Sequence, residues 1–214
     1  MMTGTMTLGR YLEYAIRRSP EENLFALAQR IPGVHYERFD VYEVPVASVS
    51  RRPAPEGFDI RVVGPESVDD LARCRGPRDL FEQRFSVLQD RCVAAMDGSG
   101  VVGFEWLSVR DERREPLMPL RFEIPASHAY AYDAFVLPAF RGRGLWAGLV
   151  RELAGAAGEL GRPYVFSHVS RYNELSQAAH RGVGFTRVSS FRTVGLGGVG
   201  FTLGAKPRRD AGAS

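Results

Sequence analysis

Between Asp133 and Gly144 the chain reads D-A-F-V-L-P-A-F-R-G-R-G, an apolar run that enters a loop of arginine and glycine and then an amphipathic stretch. Glycines at 142 and 144 permit positive φ and a close backbone approach to a ligand, because no Cβ stands in the way. The helix predicted over about 144–160 turns its unsatisfied N–H groups and the positive end of its dipole toward that loop. Arg141 and Arg143 add full charges, so the guest these residues suit is an anion such as phosphate or pyrophosphate. Spacing removes two nucleotide signatures. No G-x-x-x-x-G-K-[ST] is present, and the G-x-G here lacks the third glycine of the dinucleotide fingerprint.

Arg141-Gly142-Arg143-Gly144-Leu145 resembles the Q/R-x-x-G-x-G/A loop with which the GNAT superfamily of N-acyltransferases holds the coenzyme A pyrophosphate. Trp146 stands at the sixth position, where that family has Gly or Ala. Farther along, Asn173-Glu-Leu-Ser176-Gln-Ala-Ala179-His180-Arg-Gly-Val-Gly184-Phe185 resembles the family's second signature, N-x-x-S/A-x-x-x-Y-x-x-x-G-F, with His180 in the tyrosine position. The resemblance runs over about residues 58–205. It implies acetyl-CoA as co-substrate and cofactor contacts from Phe135, Val136 and Leu137 at the strand end. Arg141, Gly142, Arg143, Gly144 and Leu145 in the loop complete the implied cofactor set, with Asn173 at the next helix.

Acyl transfer from a thioester to an amine requires that the thioester be held, the amine be uncharged, the carbonyl be polarised and the thiolate be accommodated. A backbone N–H near Val136 is the expected donor to the carbonyl, the strand end pairing with the pantetheine arm as an added strand would. Asp133 is the first candidate for the amine. Tyr130-Ala-Tyr132-Asp133-Ala-Phe-Val136 resembles the Y-x-Y-D-x-x-V strand of the aminoglycoside 3-N-acetyltransferases, in which the Asp faces the acceptor amine. A carboxylate in an apolar strand is costly unless paired or exposed to a cleft, so an Asp held by an arginine or by backbone amides is the alternative. Glu105, Glu123 and His128 are secondary candidates for a base. His180, as an imidazolium, is the candidate acid for the departing thiolate, with Tyr172 as a phenolic substitute. Asn173 also suits a helix cap. His35, His128, His168 and His180 are scattered, with no metal-ligand spacing. Neither Cys74 nor Cys92 has a readable activating base.

These residues need a scaffold, and the chain of 214 residues is long enough for one packed domain with an extension. A net charge of +3, from 28 basic and 25 acidic residues, supports no general affinity for nucleic acid. No apolar run reaches a membrane span and no secretory leader is recognisable, so a reduced, cytoplasmic protein is expected. Residues 1–57 read as an extension: an amphipathic helix carried by Leu8, Tyr11, Leu12 and Ala15, a second opened by Ser19-Pro20-Glu21-Glu22, and an extended stretch over 36–47. From residue 58 the order is strand (58–63), helix (67–74), helix (78–89), a hairpin about Asp97-Gly-Ser-Gly100, and a charged loop over 110–120. Then come the strand over 129–137, the glycine loop and helix, a strand (164–169), a helix (173–181) and a closing hairpin (185–194 with 199–203). Residues 206–214 read as a disordered tail.

The expected fold is therefore α+β: a mixed, mostly antiparallel central sheet with helices on both faces, in agreement with the GNAT order of elements. The expected function is transfer of an acetyl group to a small-molecule amine by direct attack, with neither nucleic acid nor membrane as partner. A coenzyme A sensor without catalysis and a protein lysine or N-terminal acetyltransferase stay open as alternatives. The N-terminal hairpin serves acceptor selection, packing or a homodimer.

Overall fold

The computed structural model describes residues 30–204 except 51, 116–119 and 197–198, together with Glu21, Phe25 and Ala28. The helix expected at Leu8, the cap at Ser19 and the tail from residue 206 lie outside the described residues. In chain order the elements are β1 (Val34–Pro45), β2 (Asp59–Val63), α1 (Val68–Cys74), α2 (Arg78–Ser86), β3 (Arg91–Asp97) and β4 (Gly100–Ser108). They continue with β5 (Glu112–Glu115), β6 (Leu120–Glu123), β7 (His128–Val136), α3 (Leu145–Glu159), β8 (Tyr164–Ser170), α4 (Glu174–Gly182), β9 (Thr186–Leu196) and β10 (Val199–Gly204).

Eight strands form one sheet in the order β10-β9-β1-β8-β7-β4-β3-β2, and β5 and β6 pair separately. Every neighbouring pair among the described residues is antiparallel except β7 and β8. The stretch expected to be extended in the N-terminal part is β1, and it lies inside this sheet between β9 and β8, not in front of it. Alternating side chains divide the core between two faces. One face packs Phe39, Leu71, Phe81, Phe104, Trp106 and Tyr130 beneath α1 and α2. The other packs Tyr42, Val44, Val93 and Leu107 against α3, whose Leu145, Leu149 and Leu153 are buried as the predicted stripe requires. Truncating one of these leucines to alanine costs about 2–5 kcal/mol.

Two expectations change. The charged loop expected over 110–120 holds strand β5, which pairs with β6 beyond it, because Arg113 is buried through an ion pair with Asp90 and therefore behaves as an inward-facing strand residue. The helix expected over 78–89 ends at Ser86, where the chain turns through Gln89 at a φ of 54° and the Asp90 N–H bonds the Arg84 carbonyl. The hairpin about Asp97 forms as expected: the carboxylate accepts from the Ser99 N–H at 2.8 Å and from its hydroxyl at 2.6 Å.

The feature that positions the site lies where β7 leaves β8. They pair only at His128↔Tyr164, Ala129↔Val165 and Tyr130↔Phe166, although both strands continue beyond these residues. A gap therefore opens in the middle of the sheet, between the helices of one face and those of the other. On its other edge β7 is interrupted by a bulge: Phe104 faces Phe135 and Trp106 faces Tyr132, so that Asp133 and Ala134 together oppose Glu105 alone. Asp133 takes a φ of 50° there, a left-handed conformation that Asp tolerates better than most residues.

Candidate active site

After β7 a short 3-10 turn over Pro138–Phe140 leads into the glycine loop. Gly142 has a φ of 78° and Gly144 one of 76°, so both glycines are used as the sequence predicts. Gly144 caps α3, and no side chain bonds the helix's first N–H groups; its first turn holds no acidic residue. The N-terminus of a 15-residue helix thus points bare amides and its positive dipole end at the arginine loop. An anion fits these donors, and the residues suit the pyrophosphate of coenzyme A.

Arg141 folds back on the strand: its Nε donates to the Val136 carbonyl at 3.0 Å. The Leu137 N–H bonds the Val102 carbonyl on β4 at 2.9 Å. Since successive residues of a strand turn their amides to opposite edges, the Val136 N–H faces the gap, where the sequence places the carbonyl donor. Phe135 packs on Phe104 with ring centroids 6.0 Å apart, and the Arg75 guanidinium covers it at 4.7 Å.

On the α1–α2 face the gap opens into a cleft of about 970 Å³. Asp133 lines it, held by an arginine as the structural alternative foresees. Arg84 Nη1 donates to Asp133 Oδ2 at 2.6 Å, while Arg75 lies 4.0 Å from Oδ1. The Arg84 guanidinium is itself buried, 5.0 Å from the ring centroids of Trp106 and Tyr132. Tyr132 is fixed from below by its bond to Asp90 at 2.5 Å and by Arg113, whose guanidinium lies 3.5 Å from the ring. The bulge, the pair and the aromatic stack together set where the Asp133 carboxylate points. Neither Arg75 nor Arg84 stands among the sequence candidates. Arg84 left one trace: it occupies the apolar stripe of α2 between Phe81 and Phe85.

The two departures from the family signatures touch each other. Trp146 and His180 have ring centroids 4.7 Å apart beneath the first turn of α3. His180 Nδ1 sits 2.7 Å from the Ser176 carbonyl, which can only accept, so Nδ1 carries the proton. Nε2 is then the acceptor for the Ser167 hydroxyl at 2.9 Å. Burial lowers the His180 pKa to about 4, against the weaker pull of the Ser176 carbonyl. The imidazole is therefore neutral at neutral pH with both nitrogens engaged, which leaves no imidazolium to serve as the expected acid. Tyr172 is no substitute, since its hydroxyl points to the Glu21 carbonyl at 3.4 Å and burial raises its pKa.

Glu105 lies on the same face as α3, opposite the bulge. It is almost fully buried, and burial pushes its pKa up to about 8, the Trp146 indole being a lesser, opposing hydrogen-bond donor. Its Oε2 has no partner among the described residues. At neutral pH this is a protonated acid on the α3 side of the sheet, not a base in the cleft. His128 and Glu123 are remote from the cleft: His128 Nε2 lies 2.9 Å from Glu43 at the opposite end of β7, and Glu123 ends β6. Asn173 caps α4, its Oδ1 accepting the Ser176 N–H at 3.0 Å. Burial raises Cys74 to about 11 and Cys92 well above the ordinary thiol value, so neither thiol is poised for attack.

No helix among the described residues is long and apolar enough to cross a membrane. No curated protein matches the sequence. Among solved structures, the chain is similar to a Drosophila protein at 14% identity and a TM-score of 0.53, over 86% of this chain and 58% of that one. It is similar to a Novosphingobium aromaticivorans structure described as a GNAT-family acetyltransferase, at 16% identity and a TM-score of 0.54, over 77% of this chain and 67% of that one. It is also similar to the aminoglycoside N-acetyltransferase AAC(6')-Iy in complex with a CoA-containing bisubstrate analogue, at 23% identity and a TM-score of 0.51, over 61% of this chain and 91% of that one. These likenesses establish the fold. The profile of the acetyltransferase (GNAT) family matches residues 65–185, which takes in the bulge of β7, the glycine loop and α4, and with more than half of its length so matched the chain belongs to the GNAT family of acetyltransferases.

Proposed function

We propose that the protein transfers an acetyl group from acetyl-CoA to the amine of a small molecule by direct attack. The observation that carries this reading is the gap between β7 and β8, which has an anion-binding helix end on one face and a carboxylate-bearing cleft on the other. Acetyl-CoA supplies the activated acyl group. Gly142, Gly144 and the first amides of α3 hold its pyrophosphate, with Arg143 adding charge and Leu145 fixing the helix on the sheet. Val136 directs its N–H to the thioester carbonyl, stabilising the oxyanion as the amine adds.

Asp133 receives the amine through Oδ1, because Oδ2 is taken by Arg84. Its role is to orient the nucleophile, and the amine's proton passes to water. The C–N bond forms, the C–S bond breaks, and the thiolate leaves without a proton from His180, which stays neutral. His180 and Trp146 instead form the wall beneath the first turn of α3.

Calorimetric titration with acetyl-CoA and with coenzyme A, on the wild type and on Gly144→Glu, tests the cofactor half. Binding that Gly144→Glu abolishes supports it, and a folded wild type that binds neither compound overturns it. A screen of amines for thiol release tests the transfer, and binding without turnover of any amine would make the protein a sensor.

A further inference from the structure

The two arginines beside Asp133 are in different states. Arg84 is committed: 9% of its side chain is exposed, one nitrogen is 2.6 Å from Oδ2, and the rings of Phe81, Trp106 and Tyr132 surround it. Arg75 is half exposed at 53%, and Asp133 Oδ1 at 4.0 Å is its only charged partner among the described residues. That separation is beyond a hydrogen bond, so the fork of donors on Arg75 is open to the cleft. Asp133 lines the same cleft, and its Oδ1 has no partner closer than Arg75 among the described residues. A carboxylate oxygen and a guanidinium therefore stand side by side at the mouth of the gap, the carboxylate anchored to Arg84 through its other oxygen alone.

Much of the remaining lining is apolar or aromatic, with Asp79 and Gln83 as its polar members. Phe81, Phe104 and Tyr132 form its wall with His168, which burial holds neutral by lowering its pKa to about 3. Asp79 and Asp133 balance Arg75 and Arg84 along the lining, so a polycationic acceptor meets no net negative field. A compound that carries its amine and an acid on one carbon, with an apolar remainder, meets a partner for each part.

We infer that the acceptor is an α-amino acid with an apolar or aromatic side chain, its carboxylate taken by Arg75 and its amine by Asp133. This rests on the acyltransfer reading above. Bidentate pairing of a guanidinium with a carboxylate is directional and strong, and gives selectivity for the acid over the same amine without it.

The test is calorimetry on the free and the coenzyme A-saturated protein with N-acetyl-L-phenylalanine and with N-acetyl-2-phenylethylamine, which differ by the carboxylate alone. The acid should bind about 10- to 100-fold more tightly, the range of a charge-assisted hydrogen bond. Arg75→Gln should erase the difference, and Arg75→Lys should restore part of it. Equal binding of the two compounds, tighter binding of the amine derivative, or binding of neither overturns the inference. Thiol release from acetyl-CoA with phenylalanine, 2-phenylethylamine and kanamycin separates it from the reading beneath it. Preference for kanamycin or 2-phenylethylamine overturns the amino-acid acceptor and leaves acyl transfer standing. Acid-selective binding with no thiol release from any of the three overturns acyl transfer and the acceptor role with it, and leaves Arg75 as a carboxylate-binding site only.

Discussion

On the α3 face of the sheet the site is made of backbone: two glycines at positive φ, the uncapped amides of a helix, and a strand N–H turned into a gap. On the α1–α2 face it is made of side chains, with a carboxylate clamped by Arg84, Arg75 near its other oxygen, and aromatic rings under both guanidinium groups. The backbone half depends on a local conformation that a handful of contiguous residues dictate. The side-chain half depends on helices and strands being brought together from far apart in the chain. The first kind suits a constant ligand, whereas the second can change its specificity by exchanging a side chain while the fold stays intact.

The contrast predicts that a single loop change should remove one half and spare the other. Gly144→Glu forces a side chain onto a φ of 76° and sets a negative charge at the helix end. A Cβ at this position would meet nothing closer than Pro55 Cγ at 3.9 Å, so the fold has room for it. Affinity for coenzyme A should fall by about 100-fold or more, since both the conformation and the dipole interaction are lost. Circular dichroism should stay close to wild type, and stability should fall by no more than the roughly 1–2 kcal/mol that a left-handed side chain costs. Unchanged affinity would mean that the loop is an ordinary turn.

The mirror experiment is Arg84→Ala. It leaves Asp133 without its close partner and opens a space between Trp106 and Tyr132. The cost should be about 2–4 kcal/mol in urea unfolding, less than for a fully enclosed pair because Asp133 keeps some contact with water. The double variant with Asp133→Asn should recover part of that loss, and coenzyme A affinity should hold in both. Strictly additive losses would show that the two residues do not act as a pair.

The same division explains what the sequence can say. The glycine loop and the cap at Asn173 are legible because their function is carried by neighbours in the chain. The Arg84–Asp133 pair joins residues 49 positions apart, and no local pattern links them. What can be read is only the misfit of an arginine on the apolar stripe of α2. The pairing of β5 with β6 is hidden for a related reason: burial of Arg113 needs Asp90, just before β3, and Tyr132 on β7. The strand character of β1 is evident from its β-branched and aromatic residues. Its place inside the sheet is not, since its partners β8 and β9 come near the end of the chain.

Between the halves lies Glu105, and its titration sharpens the boundary. Burial raises its pKa from 4.5 to about 8, so the folded state holds a proton that the unfolded chain has lost. Its contribution to stability is fully present below 4.5 and is lost as pH rises toward 8. Glu105→Gln has no such proton to lose. Relative to wild type the variant should gain about 1–3 kcal/mol between pH 4.5 and pH 8, less than the whole shift converts to if the pocket relaxes around the charge. Urea unfolding at the two pH values measures it. A pH-independent difference would place Glu105 in contact with water or with a cation.

The smallest effect is expected where the family signature differs most visibly. A general acid contributes about 10²- to 10⁴-fold to a rate, so loss of a working proton donor cannot be missed. His180 does not fit that role: its Nδ1 proton is given to the Ser176 carbonyl, Nε2 accepts from Ser167, and burial lowers its pKa to about 4. His180→Gln should therefore change kcat by no more than about threefold, and the pH–rate profile should show no step between pH 6 and 7 that the variant removes. Stability should behave differently. Because the folded pKa lies below the ordinary 6.5, the wild type loses stability as pH falls from 6.5 toward 4 and the unfolded chain takes up the proton first. The variant should lack that part of the acid sensitivity. A hundredfold loss of kcat at neutral pH would instead make His180 the proton donor, and the wall beneath α3 would then be part of the chemistry.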